Sequence, residues 1–142
     1  MTVAGAIRTG GPDMKHGEFI NHVAERAEVP KDLAETLACE TLRTLADRLA
    51  GGEPHDLASQ LPQELKACME PASPEGHRFG PDEFLARVAS AAGVDREKAT
   101  RGVRAVMATV REAVTPGEFD DVVAQLPDEY RALISPMAGT AS

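Results

Sequence analysis

Apolar residues return every three or four positions along most of the chain. Phe19, Ile20, Val23, Ala24 and Ala27 do so, and so do Phe84, Leu85, Val88, Ala89 and Ala92. This period places each set on one face of an amphipathic helix. A longer stripe follows each one: Ala34, Ala38, Leu42, Leu45 and Leu49, then Ala99, Val103, Val106, Met107, Val110 and Val114. They predict long helices over about Lys31–Leu49 and Arg96–Val114. A short third helix carries Leu57 and Leu61, or Val122 and Leu126, and ends at Pro62 or Pro127. The residue before a proline is pushed out of helical geometry, while the proline itself suits the first position of a fourth helix. Sustained strand alternation is absent, so the expected class is all-α, with about eight helices.

The resemblance between the two series is a repeat. Shifted by 65 residues, Gly17–Met69 lies on Asp82–Ile134 without a gap, with sixteen identities in 53 positions. A match of that length points to duplication. Two copies fall short of the three or more a solenoid needs, so the expected architecture is a duplicated helical bundle. Its two four-helix repeats would be related by a pseudo-twofold axis. The expected boundaries are a flexible tail at 1–13, repeat 1 at 14–70 and a Pro- and Gly-bearing linker at 71–78. Repeat 2 then spans 79–137, packed with repeat 1 as one unit, and a tail follows at 138–142. Met14 stands where an alternative translation start would fit.

Local signals support the helix starts and ends. Phe79, Gly80, Pro81, Glu83 and Phe84 read as a staple residue, an N-cap, a proline at the first turn, a capping-box acid and the staple's partner. Met14, Glu18 and Phe19 take the matching places in the first copy. Asp95 is a suitable N-cap for the second long helix. Gly52 and Gly117 stand where a left-handed residue would close the long helices. Gly102 falls in mid-helix, aligned with Leu37, and costs about 1 kcal/mol against alanine unless another helix approaches closely there.

These residues carry a family resemblance. Glu-Phe-x-x-x-Val-Ala, then Gly-Glu-x-x-Asp, then Gln-Leu-Pro-x-Glu, all occurring twice, resemble the bacterial family known as domain of unknown function 2267 over about residues 14–137. The resemblance implies a duplicated, soluble, helical bacterial protein. It implies no activity and transfers no catalytic residue.

Charge narrows the function. The net charge is -8 and only 4% of residues are aromatic, with no Trp. Such a chain lacks the basic surface of a general phosphate binder and the rings of a base-stacking platform. No apolar run reaches the roughly 20 residues of a membrane helix. Cys39 and Cys68 form no disulfide framework, and Met1–Pro12 lacks the pattern of a signal peptide. The expectation is a cytoplasmic protein with reduced thiols.

Candidate chemistry is sparse. The four histidines His16, His22, His55 and His77 belong to no metal motif. Glu18 and His22 share a helical face, but the second copy has Arg87 at the histidine's position. Nucleophile elbows and phosphate loops are absent. Hence no catalytic residue, metal or cofactor is assigned. What recurs is polar: Glu53, Asp56, Gln60 and Glu64 return as Glu118, Asp121, Gln125 and Glu129. Paired carboxylates suit acid–base work or a cation, yet helix starts and breaks also attract them. The structural role is favoured, with Asp56, Gln60 and Glu64, and their three counterparts, forming two separate clusters on local backbone amides. Arg101, Arg104 and Arg111 form a basic face in one copy only, an anion-facing patch if it has a ligand.

The function expected is a non-enzymatic module that binds a protein partner or a second copy of itself. Nucleic-acid or phosphate binding through the arginine face ranks second, and an enzyme using the recurring carboxylates third.

Overall fold

The computed structural model describes residues 14–69 and 78–134. The expected tails at 1–13 and 138–142, nearly all of the linker, and His77 lie outside the described residues. Among those described there is no strand, and the chain is all-α. The helices are α1 (His16–Ala27), α2 (Lys31–Arg48), α3 (Glu53–Ser59) and α4 (Gln63–Lys66), followed by a 3-10 turn at Ala67–Met69. Then come α5 (Pro81–Ala92), α6 (Arg96–Ala113), α7 (Pro116–Ala124), a 3-10 turn at Asp128–Tyr130 and α8 (Arg131–Ile134). Moving α1 and α2 on by 65 residues gives 81–92 and 96–113, the bounds of α5 and α6.

The four long helices make the centre. α1 packs on α2 and on α6, α5 packs on α6 and on α2, and α2 crosses α6. Each half therefore lays its first helix against the long helix of the other, and the apolar faces merge into one continuous core. Phe19 and Phe84 are buried in it, 0% and 2% exposed. They do not sit in separate cores, because the helix exchange leaves no boundary between halves.

Gly102 explains itself at the α2–α6 crossing. A Cβ there would stand 2.9 Å from both Leu37 methyl carbons, closer than a well-packed interior tolerates. Side-chain ties reinforce the exchange. Arg26 of α1 donates to Thr109 at 2.9 Å and pairs with Glu112 at 2.6 Å, both on α6. Arg101 Nε donates to the carbonyl of Ala27, the last residue of α1, at 3.1 Å.

The helix ends correct several expectations. Asp95 does cap α6, accepting from Lys98 N–H at 2.8 Å, and Phe79 meets Phe84 with ring centroids 6.3 Å apart. Glu83 makes no cap, however; its carboxylate is bound by Arg87 at 2.9 Å. Gly52 is not left-handed, with φ -87, and Gly117 lies inside α7. The chain needs no left-handed residue there, because α2 and α6 end at the extended residues Leu49 and Val114. Left-handed residues instead include Gly51 (φ 67), Gly93 (φ 71) and Glu28 (φ 60). Pro62 and Pro127 stand just before their helical turns, not within them.

Candidate functional site

The recurring polar residues gather where α3 packs against α7. Position 52 breaks the chain after α2, and Thr115 caps α7 by accepting from Glu118 N–H at 3.3 Å. Both short helices therefore start with a glutamate in the first turn, Glu53 in α3 and Glu118 in α7. Packing turns these glutamates towards each other, within hydrogen-bonding reach. Glu118 is buried, 8% exposed. Glu53 Oε2 and Glu118 Oε2 are both buried and meet no hydrogen-bonding partner among the described residues. Burial, followed by the contact with Glu118 and the charges of Asp121 and Asp56, pushes the Glu53 carboxyl up from 4.5 to about 8. Removing a carboxylate from water and placing like charges beside it both favour the protonated form.

The glutamines bridge this seam in reciprocal fashion. Thr115 N–H donates to Gln60 Oε1 at 2.8 Å, and Ala50 N–H donates to Gln125 Oε1 at 2.8 Å. Gln125 Nε2 also reaches the Ala50 carbonyl at 3.4 Å. Each glutamine thus serves the chain entering the other half's short helix. Helix starts leave such groups without intrahelical partners.

The expectation of two separate clusters on local amides is therefore corrected. Gln60 and Gln125 bond across the seam, because the break after each third helix faces the other half's loop. Asp56 and Asp121 cap nothing; position 52 and Thr115 hold the cap positions, and both aspartates are exposed. Glu64 and Glu129 are exposed and lie away from the glutamate pair. Glu64 lines a cavity with Met14 and His16, and Glu129 Oε1 sits over Gly80, 3.1 Å from where its Cβ would be.

The three arginines of the expected basic face are directed differently. Arg101 is turned onto the α1 terminus and Glu97, while Arg111 lies over the Phe119 ring, 5.2 Å from its centroid. Arg104 is half-buried between them. Arg111 also lines a cavity of about 240 Å³ between α6, α7 and α8 with Val123, Leu126, Asp128, Arg131 and Ile134.

Two features escaped sequence reasoning. One is a disulfide, Cys39–Cys68, which replaces the expected reduced thiols. The 3-10 turn after α4 packs on α2 and brings the two Cα atoms to 5.3 Å, inside the range a disulfide spans. A sequence separation of 29 carries no spacing signal for this. The other is an aromatic–cation cluster around Phe79. Arg87 lies 4.0 Å from the Phe79 ring centroid, Arg48 lies 5.9 Å from it, and Arg48 Nε and the Tyr130 hydroxyl both donate to the Phe79 carbonyl. Removal from water pushes the Tyr130 hydroxyl up from its usual pKa. Its one hint in sequence was Phe79 itself.

Among the described residues no group of three or more His, Cys, Asp or Glu is arranged to hold an ion. The family described as "Uncharacterized conserved protein (DUF2267)" matches residues 16–133. The chain belongs to the DUF2267 family. No curated protein matches it. Among the described residues of this DUF2267 chain, the match covers every helix except the last residue of α8, and with it the whole α3–α7 seam. Among the described residues of this DUF2267 protein, no helix is long and apolar enough to cross a membrane.

Proposed function

We propose that this bacterial protein is a non-enzymatic binding module formed by duplication, and that its partner docks in the groove between α6, α7 and α8. The groove carries the reading. Val123, Leu126 and Ile134 give it an apolar lining, and Arg111 adds a guanidinium group, with Arg131 beside Asp128 at 3.8 Å, on a chain whose net charge is -8. A guanidinium group beside an apolar lining favours a partner segment with a carboxylate beside an apolar side chain. Stacking on Phe119 holds Arg111 ready for such a carboxylate. The recurring glutamates support a structural role better than turnover, because the Oε2 atoms of Glu53 and Glu118 are both buried from solvent.

Duplication is supported by the coincident bounds of the long helices and by reciprocal contacts. Leu37 meets Gly102, Glu53 meets Glu118, and the bonds Gln60–Thr115 and Gln125–Ala50 exchange. Contacts between positions 65 apart are what a twofold axis generates. A cytoplasmic location requires that Cys39–Cys68 withstand a reducing thiol pool, where disulfides are rare.

Selection of a random peptide display library on the intact protein tests the groove. Enriched sequences should pair Asp or Glu with Leu or Phe, and Arg111→Glu should weaken the best peptide at least tenfold, about 1.4 kcal/mol. Peptides that bind Arg111→Glu unchanged would overturn the reading. Steeply salt-dependent binding of a DNA duplex would put the nucleic-acid alternative in its place.

A further inference from the structure

We propose that Glu53 and Glu118 hold one proton between them, and that this proton closes the α3–α7 seam and makes it sensitive to pH. Two carboxylate oxygens, Glu53 Oε2 and Glu118 Oε2, are buried without a partner. A carboxylate only accepts hydrogen bonds, so two of them cannot satisfy each other; a carboxyl and a carboxylate can, through one O–H donor. A single proton removes both orphans at once. Without it, two like charges face each other with an oxygen of each buried.

The surroundings favour the proton. The charges that raise Glu53 are Glu118 and Asp121 on α7 and Asp56 on α3, all acidic. His55 and Asp120 are the other ionisable groups of these two helices. Glu64 and Lys66 lie on α4, and Arg111 and Glu112 on α6, the elements packed against α3 and α7. Arg111 is turned to the Phe119 ring and the α6–α8 groove. Gln60 and Gln125 keep the flanking backbone in place, so that the pair is pressed together and not splayed.

The pH window follows from the raised value of Glu53. Below its ordinary 4.5 the carboxyl is protonated folded or unfolded; between 4.5 and about 8 only the folded state holds the proton. Stability is therefore greatest at the acidic end, falls as pH rises through about 8, and levels off above it. The site is separate from the α6–α8 groove, and its test does not depend on that reading.

Carboxyl ¹³C NMR titration of the whole, unaltered protein should show one glutamate titrating near 8. A set of glutamates that all titrate near the unperturbed ~4.3 would overturn the proposal. Thermal melting between about pH 5 and pH 9 supplies the second arm. Glu53→Gln replaces the O–H donor by a permanent N–H donor, so its Tm should fall with pH less than half as far as the wild type's and exceed it at the basic end. Histidines titrate in the same window, so the variant decides the matter and not the wild-type slope alone. A Glu53→Gln profile that runs parallel to the wild type would overturn the closing role even if the NMR shift is found.

Discussion

The two halves share a helical plan but fasten their last turns differently. In the N-terminal half the turn after α4 is held to α2 by the Cys39–Cys68 bond. At the matching places of the C-terminal half stand Arg104 and Leu133, and no covalent link is available. There Tyr130 packs edge-on against Phe84, with centroids 5.8 Å apart, and its hydroxyl reaches the Phe79 carbonyl under the Arg48 guanidinium. The first half has Leu65 in place of Tyr130 and Met14 in place of Phe79. A covalent bond restricts the unfolded chain. A buried aromatic cluster instead stabilises the folded state through area and contact. The same order of helices can thus be closed by either device.

Removing each device measures that difference. Tyr130→Ala should cost about 3–5 kcal/mol, the range for buried aromatic truncation, and should do so in oxidising and reducing buffer alike. Replacing both cysteines by serine should cost less, about 2–4 kcal/mol, and adding a reductant to the wild type should reproduce that loss. Urea denaturation of the two variants gives both numbers. A cysteine variant as stable as the wild type would show that the first half needs no fastening.

The crossing of α2 and α6 sharpens the comparison, because there unlike residues at matching positions meet. Gly102→Ala gains helix propensity of about 1 kcal/mol. It also drives a methyl into Leu37, which is 0% exposed and has no room to turn away. Overpacking of this kind costs about 1–3 kcal/mol. The expected net effect is a small loss of stability, read as a lower urea midpoint with an unchanged slope. A rise in the midpoint would mean that Leu37 repacks freely.

How much of this was legible in sequence depends on the range of the signal. The Phe79–Phe84 staple and the Asp95 cap act within five residues of chain, and local pattern sufficed for them. The α2 and α6 spans were legible because their apolar stripes run unbroken for several turns. Gly102 was legible as a misfit, but the residue that requires it comes from another helix. Gln60 and Gln125 were legible as recurring, yet their acceptor roles depend on how α3 meets α7. The Glu53–Glu118 pair was hidden for the same reason: each glutamate alone suits a helix start, and only packing turns the two together. Cys39 and Cys68 carried no recurrence and no spacing at all.

The seam is the point on which these observations converge. Either α3 and α7 form one junction shared by both halves, or each carries its own independent polar residues. A double-mutant cycle on Glu53→Ala and Glu118→Ala, measured by urea denaturation at about pH 6, where Glu53 holds its proton, separates the two. A shared junction predicts that the second substitution costs less once the first is made, with a coupling of about 0.5–3 kcal/mol. Losses that add to within about 0.3–0.5 kcal/mol would mean that the two glutamates act apart, and the shared junction would be contradicted.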